Sequence, residues 1–253
     1  MYRLFNISKS GMIANQNKLD ILSNNISNVN TVGYKKLDVQ FSDLISQTLD
    51  TRSYPTNSSD AQKGTGVKLS NPVRNNEQGA IKQTGLKTDL AIDGDGFFKF
   101  INQNGDAVYS RNGELSIDKF GRIVDSNGNI LEINFLDGLN YNNANIVYEN
   151  LEVSRSGEIS IGGKLIGRIT LYEPTGNTTF ISNGDNTFSV NEGGNIVEIQ
   201  DISIVQGSSE MSNVELQDEI VELIKTQRAF QLNSSGVRVA DEMWSIANNL
   251  KSR

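Results

Sequence analysis

The side chains that most often perform nucleophilic and acid–base catalysis are missing from this sequence. Its 253 residues include no histidine and no cysteine. The chain therefore has no Ser-His-Asp or Cys-His nucleophilic site, and it lacks the usual ligands of protein-bound zinc. Paired carboxylates could still hydrolyse a glycoside, and Asp93 and Asp95 are the most conspicuous pair.

Asp93 and Asp95 each precede a glycine, and this Asp-Gly-Asp-Gly order is typical of a tight β-turn. The segment does not fit an EF-hand calcium loop, because Phe97 occupies a position that requires an oxygen ligand. We therefore predict a turn here, with no catalytic residue, metal site or cofactor, and we expect that the chain is not an enzyme.

Charge and hydropathy limit the classes of partner. The chain has 23 basic and 30 acidic residues, a net charge of -7 and a pI near 4.8. It has no broad positive field for nucleic acid or an anionic membrane. Residues 1–11 lack the apolar core of a secretory signal, and no later run approaches about 18 apolar residues. We expect no nucleic-acid partner, no direct membrane insertion and, if the protein leaves the cytoplasm, export by another machine.

Apolar residues near the N-terminus recur at alternating steps of three and four. They are Phe5, Met12, Leu19, Leu22, Ile26 and Val29, with polar Ser8 and Asn15 at two further positions of the stripe. This heptad spacing predicts a helix. Gly33 can adopt a positive φ, a common way to end a helix, so the predicted boundary lies near residue 30.

A second heptad pattern lies near the C-terminus. Its stripe consists of Leu216, Ile220, Leu223, Phe230, Val237, Ala240, Trp244 and Ala247, interrupted by Gln227 and Ser234. Another stripe, Val239, Met243, Ile246 and Leu250, lies alongside it. Ser212 and Asn213 could cap the helix, which is predicted to run from about residue 213 to 250.

Between these helices, short β-type runs such as Phe97–Phe100 alternate with turn pairs such as Asn104-Gly105 and Asn112-Gly113. The predicted fold is mainly β with terminal α-helices, in which the two helices form a coiled-coil layer and a central antiparallel β domain is inserted between them. The predicted boundaries are 1–35 and 208–253 for the helical assembly domain, 36–65 for a connecting loop or linker, and 66–207 for the β domain.

Periodicity alone does not say what covers the apolar stripes. An isolated amphipathic helix gains little in water and needs a partner. The two helices can pack on each other and on neighbouring copies, or on the β domain as in an ordinary α+β protein. The pattern leaves both arrangements open, because it locates apolar atoms but not the molecule that covers them.

Three groups of motifs resemble the family of flagellar rod and hook proteins, and together they span nearly the whole chain. They are LSNNISNVNTVGYK at 22–35, then DLAIDGDGFF at 89–98 with YSRNGEL at 109–115 and DKFGRIV at 118–124, and finally EMSNV at 210–214 with IKTQRAF at 224–230. The resemblance implies a structural subunit of the flagellar basal-body rod that self-assembles into a hollow helical tube and transmits torque to the hook.

Within that family, the length and the segment 226–230 favour the distal position in the rod, and a proximal rod or hook-type subunit is the alternative. The resemblance implies three partners: further copies in a helical homo-oligomer, other rod and hook proteins, and the flagellar export apparatus. It also implies a location in the basal body, within the cell envelope, reached through the flagellar secretion channel without a cleaved signal peptide.

The resemblance places both terminal helices in an inner layer, where the two stripes would face each other within or between subunits. The residues expected to form this assembly surface are Phe5, Met12, Leu19, Leu22, Asn24, Asn25, Ile26, Asn28, Val29, Gly33, Tyr34, Leu216, Ile220, Leu223, Gln227, Phe230, Val237 and Trp244. The asparagines could bond a neighbouring subunit or satisfy their own helix end. A carbohydrate-binding or carbohydrate-cleaving envelope domain and a rod-contacting cap or scaffold are the competing functions.

Overall fold

The computed structural model describes residues 2–44, 47–48, 62–63, 66–136, 138–144, 146–175, 180–191 and 193–251. Two long helices, α1 (Tyr2–Ser27) and α3 (Leu216–Lys251), lie at the ends of the chain, and antiparallel strands lie between them. The predicted fold class is thus confirmed. Residues 45–46, 49–61 and 64–65 of the linker predicted at 36–65 lie outside the described residues.

The strands are short, and one four-residue helix and one 3-10 turn interrupt them. In chain order they are β1 Leu37–Asp38, β2 Phe41–Asp43, β3 Gln47–Thr48, β4 Gln62–Lys63, β5 Val67–Leu69, β6 Val73–Arg74, β7 Ile81–Gln83, β8 Leu90–Ile92, β9 Phe97–Ile101, β10 Ala107–Ser110, β11 Ser116–Ile117, β12 Ile123–Val124, β13 Ile130–Leu131, β14 Asn134–Phe135, α2 Tyr141–Ala144, the 3-10 turn Tyr148–Asn150, β15 Leu151–Val153, β16 Glu158–Ile161, β17 Lys164–Arg168, β18 Leu171–Pro174, β19 Phe180–Gly184, β20 Thr187–Val190, β21 Ile196–Ile199, β22 Ile204–Gln206 and β23 Ser208–Glu210.

The chain forms two compact units. The helical unit comprises Met1–Ser27, Leu37–Val73 and Glu215–Arg253, and the β unit comprises Asn28–Lys36 and Arg74–Val214. These limits differ from the predicted boundaries at both helices, the linker and the β domain. The helical unit includes Leu37–Val73, which covers nearly all of the predicted linker and the start of the predicted β domain, because β2 pairs with β5, which packs on α1. Residues 208–214, predicted to belong with the helices, lie in the β unit. The segment after α1 belongs to the β unit because the backbone of Gly33 bonds that of Glu210.

Both long helices differ from their predicted limits by a few residues. α1 ends at Ser27, so Val29 lies beyond the helix in the β unit. α3 begins at Leu216, because Asn213 does not cap it: the Asn213 side chain accepts a bond from the Lys36 amide and donates to the carbonyls of Asn75 and Glu77. Asp218 and Glu219 occupy the first turn of α3, where carboxylates suit the positive end of the helix.

The core of the β unit lies around β9, which pairs with β10, β13 and β18. Its inward side chains pack with those of a second, four-stranded sheet in the order β14-β17-β16-β15. The largest fully buried apolar side chains are Phe98, Phe100, Phe188, Leu90, Ile92, Ile123, Leu131, Leu151, Ile159, Ile169 and Leu171. This unit therefore has the dense apolar core that an independently stable domain needs.

Of the two turn pairs named above as predicted hairpins, one forms a hairpin and the other does not. Asn104-Gly105 reverses the chain between β9 and β10, where the Gly105 amide donates to the Asn102 carbonyl. Asn112-Gly113 forms no hairpin, because the Gly113 carbonyl instead accepts a bond from the Leu90 amide on β8.

Candidate assembly surface of the terminal helices

α1 and α3 pack antiparallel along a line of small and polar side chains, which we call the seam. Its buried members are Ser8, Gly11, Asn15, Leu22 and Asn25 on α1, and Glu219, Thr226 and Ala240 on α3; Ser8, Asn15 and Leu22 lie seven positions apart, as do Glu219 and Thr226. Heptad spacing is thus present, but Leu22 is the only large apolar residue among these buried positions. Burial of so little apolar surface contributes little stability, since the gain is roughly 25 cal/mol per Å².

Two glycines let the helices approach each other closely at the seam. A Cβ built on Gly11 would lie 2.8 Å from the Asn233 side-chain nitrogen, and one on Gly236 would lie 2.7 Å from the Ser8 hydroxyl. Both distances are shorter than ordinary van der Waals contact. Larger side chains at these positions would push the helices apart.

Polar contacts fix the register of the seam where the end of α1 lies against the start of α3. The buried amide of Asn25 donates to Glu219 at 3.2 Å and to the Leu37 carbonyl at 3.0 Å, and its oxygen accepts a bond from the Leu37 amide. The Lys18 ammonium lies 2.9 Å from Glu222. Lys18 and Lys225 together lower the pKa of Glu222 to about 2.

Large apolar side chains on both helices face outward from the seam. On α1 these exposed residues are Tyr2, Leu4, Ile7 and Ile13, and on α3 they are Leu216, Ile220, Val221, Ile224, Leu232, Val239, Met243, Ile246 and Leu250. Leu232 is 74% exposed and Leu250 is 73% exposed. Apolar surface of this extent is typical of an interaction site.

The predicted assembly residues divide by burial. Leu22 is buried, whereas Leu216, Ile220 and Gln227 are exposed. The others on the helices are half-buried beside the seam: Phe5, Met12, Leu19, Ile26, Leu223, Phe230, Val237 and Trp244. Trp244 meets the Tyr2 ring edge-on at 4.7 Å and stacks on Phe5 at 6.4 Å. The structure thus brings the two predicted stripes near each other, with the seam between them.

The remaining predicted residues lie at the end of α1 and just after it. Asn24 is exposed, whereas Asn25 is fully buried and bonds Leu37 and Glu219 of its own chain. The hydroxyl of Thr31 donates to the Asn28 side chain. Gly33 has φ +66°, and a Cβ there would lie 2.7 Å from the backbone of Arg111. Tyr34 is buried in the β unit.

Sequence reasoning missed a buried charge cluster in the β unit. The Glu210 carboxylate lies 2.7 Å from Lys35 Nζ and 2.6 Å from Arg111 Nε, and all three side chains are at most 2% exposed. Glu210 also accepts a bond from the Gly79 amide, and Lys35 donates to the Glu77 carbonyl. Each of the three charged residues lies in a motif that carries the family resemblance, which is the signal that could have identified them.

This cluster, Lys35–Glu210–Arg111, ties together three distant parts of the chain. Burial lowers the pKa of Lys35, while its hydrogen bond to Glu210 opposes that shift. Two cations facing one carboxylate need further acceptors, and backbone carbonyls supply them: Lys35 uses Glu77, and the Arg111 guanidinium donates to Gly94 and Gly96. The last segment before α3 and the first after α1 are therefore held side by side.

Asp93 and Asp95 lie in the bend between β8 and β9, and both are exposed. Arg111 holds this bend through the carbonyls of Gly94 and Gly96. A cavity of about 250 Å³ beside it is lined by Asp95, Glu173, Arg111 and Phe97, among others.

The described residues contain no group of three acidic side chains placed to share a metal ion. Among the helices described here, none has an apolar stretch long enough to cross a bilayer.

Three family descriptions match successive parts of the chain. Residues 5–35 match "Flagella basal body rod protein", residues 91–161 match "Flagellar hook protein FlgE/F/G D1 domain", and residues 205–250 match "Flagellar basal body rod FlgEFG protein C-terminal". The first and third of these regions contain most of α1 and α3. The second lies wholly within the β unit.

Similar proteins match over almost their full length. The chain is 35% identical to flagellar basal-body rod protein FlgG of Borreliella burgdorferi, with 99% of each chain covered. It is 33% identical to FlgG of Agrobacterium fabrum over 98% of this chain and 100% of that protein, and 34% identical to FlgG of Bacillus subtilis over 96% of both. With its two terminal helices, its inserted β region and these matches, the chain belongs to the family of flagellar basal-body rod proteins.

Proposed function

We propose that this protein is a structural subunit of the distal flagellar rod, whose copies assemble through their terminal helices into a hollow helical tube. The observation that carries the proposal is the full-length match to FlgG proteins, combined with outward apolar side chains along both helices. Identical subunits that join with a rotation that does not close a ring form a helical filament. Such a tube transmits torque to the hook.

The same proposal gives the protein no catalytic role. Its partners are other copies, other rod and hook proteins and the flagellar export apparatus. Its location is the basal body within the cell envelope, reached through the flagellar secretion channel. The relatives named as basal-body rod proteins support a location in the flagellar basal body.

Two proteins of one organism bear on the assignment within the family. The chain is 34% identical to FlgG of Bacillus subtilis, but 28% identical to that bacterium's flagellar hook-basal body complex protein FlhP. Coverage of this chain is similar in the two comparisons, at 96% and 93%. The difference in identity therefore supports the FlgG-like assignment.

The test is the substitution Leu232→Asp, because Leu232 is 74% exposed and its loss leaves the monomer's own packing unchanged. Burying a leucine in a subunit contact contributes roughly 1.5–3 kcal/mol, and an unpaired buried carboxylate costs more. We expect a strain that carries only this variant to lose swimming and to lack complete rods in electron micrographs of basal bodies. Circular dichroism of the purified variant should match the wild type.

Gln231→Asp provides the matched control, since it introduces the same charge at the neighbouring exposed position. This strain should swim and build complete rods. Complete rods and normal swimming in the Leu232→Asp strain would contradict the assignment of the terminal helices as the assembly surface.

A further inference from the structure

The helical unit has an open apolar groove on a face of α1 that does not form the seam. One wall consists of Ile13, Asn17 and Ile21, which lie on one helical face because they are four residues apart. The other wall is β5 with the residues after it, from Val67 to Pro72. The groove has a volume of about 430 Å³. Ile13 is 51% exposed, so solvent reaches the apolar wall.

Contacts inside the helical unit hold the two walls of this groove in place. The Val67 amide donates to the Ser10 hydroxyl at 3.4 Å, and that hydroxyl donates to the Ile7 carbonyl at 2.8 Å. β5 also pairs with β2, where the Phe41 ring lies 5.4 Å from the Lys18 ammonium. A groove already formed in the free protein binds a partner without the cost of ordering its walls.

The C-terminal half of α3 presents a stripe of apolar side chains that fits such a groove. Val239, Met243, Ile246 and Leu250 follow each other at four, three and four positions, and they are 48%, 46%, 61% and 73% exposed. This spacing is that of the anchor residues of a helix that binds in an apolar groove. α3 also continues beyond Trp244, which packs on Tyr2 at the start of α1.

The groove matches three of the four stripe residues in length. From Ile13 to Ile21 the groove wall rises about 12 Å, from Met243 to Leu250 the stripe rises about 10 Å, and the whole stripe from Val239 rises about 16 Å, at 1.5 Å per residue. Exposed Lys68 lies at the groove rim. Exposed Glu242 immediately precedes Met243 in the stripe. Lys68 thus offers a partner of opposite charge to Glu242, and exposed Arg238 lies on the same side of α3 as Glu242, because the two are four residues apart.

The α3 helix of the same chain is already committed to a different face of α1. It packs along the seam from Asn25, which bonds Glu219, to Tyr2, which meets Trp244. A straight helix in that position does not also enter the groove. The stripe that fills the groove therefore comes from another molecule.

We propose that the groove between α1 and β5 binds the C-terminal stripe of α3 from a second copy of this chain. The inference rests on the proposed function, because it names which surfaces meet when copies assemble. Groove and stripe are different surfaces of one molecule, so their contact is heterologous and repeats from head to tail. Such a contact builds an open filament when its rotation does not close a ring, whereas a self-complementary contact would stop at a dimer.

Cysteine cross-linking tests this contact directly, because the natural sequence contains no cysteine. Full-length Lys68→Cys and Glu242→Cys proteins are mixed at concentrations where sedimentation shows that the wild type self-associates, and they are then oxidised. Nonreducing gels and mass spectrometry identify the linked chains. We expect the mixed 68–242 disulfide at about ten times the yield obtained when Gln16→Cys, an exposed position of α1 outside the groove, replaces Lys68→Cys.

Each other outcome overturns the inference in a distinguishable way. A dominant 68–68 disulfide would mean that two grooves face each other. Efficient 68–242 linkage within a single chain that carries both cysteines would mean that the chain fills its own groove. Self-association without the mixed disulfide would refute this contact and leave the proposed function intact, whereas a wild-type protein that never self-associates would remove both.

Discussion

Replacing Glu210 by glutamine removes the carboxylate that faces two buried cations. The carboxylate lies 2.7 Å from Lys35 and 2.6 Å from Arg111, and it also accepts the Gly79 amide. Glutamine keeps one acceptor oxygen, but its amide group turns N–H donors toward a cation. Lys35 and Arg111 then stay buried without a compensating negative charge. Glu210→Gln is thus expected to destabilise the β unit.

The size of the effect follows from the burial of the cluster. All three side chains are at most 2% exposed, so water does not screen the loss. Removing one partner of a buried ion pair costs about 3–5 kcal/mol. In a domain of this size each kcal/mol lowers Tm by about 2–4 °C, so we expect the β unit to melt roughly 10 °C lower.

Two probes separate the units in a thermal or urea unfolding experiment. Trp244, the only tryptophan, reports on the helical unit by fluorescence. The near-ultraviolet circular dichroism of tyrosines such as Tyr109 and Tyr172 reports mainly on the β unit. Glu132→Gln is the control, because its ion pair with Lys99 is about a quarter exposed and contributes less than about 1 kcal/mol. Equal losses in Glu210→Gln and Glu132→Gln would refute the argument from burial.

Two further substitutions test the turn after α1 and the register of the seam. Gly33→Ala should lower the free energy of unfolding in urea by more than about 2 kcal/mol, because positive φ strains alanine and the added Cβ would lie 2.7 Å from backbone atoms. Gly85→Ala is the control, since Gly85 has φ +77° but open space around it, and it should cost less. Equal losses in the two variants would argue against the clash at Gly33. Glu222→Gln should lower stability at pH 7 by less than about 1 kcal/mol, since Glu222 is 39% exposed. The pKa of Glu222 is about 2 in the folded protein against an ordinary 4.5. The difference in stability between wild type and Glu222→Gln should therefore be present above pH 4.5 and vanish as the pH falls toward 2. A difference that stays constant with pH would rule out the ion pair as its source.

The sequence predicted the order and type of the elements, because periodicity reports directly on which residues can share an apolar face. It could not predict the composition of the seam. Gly11 and Ser8 are buried there because the helix backbones approach closely, and close approach depends on shape rather than on hydropathy. The predicted stripe on α3 lies one position away from the residues that are buried at the seam, such as Glu219 and Thr226. The reason is that large apolar residues determine the periodicity even where they face solvent.

Ion pairs between residues far apart in the chain could not be predicted from the sequence, for a different reason. Lys35 and Glu210 are 175 positions apart, and the pairing of β23 with β7 and the turn at Gly33 help to bring them together. An ion pair needs both partners within about 4 Å, and one sequence does not give such distances. Asn213 was assigned to the helix cap on local grounds, but it bonds a segment far away in the chain.

The folded β unit compensates for the weak apolar content of the seam. It holds the end of the segment after α1 beside the segment before α3: the Asn213 amide donates to the Tyr34 carbonyl, and the Lys36 amide donates to the Asn213 side chain. Without that fixed junction, pairing α1 with α3 would close a loop of about 180 residues. Each doubling of loop length costs about 0.6 kcal/mol, so reducing it to an effective 10 residues saves about 2.5 kcal/mol. The seam can therefore stay small and polar, and large apolar side chains of both helices stay exposed, where the proposed contacts with neighbouring copies would bury them.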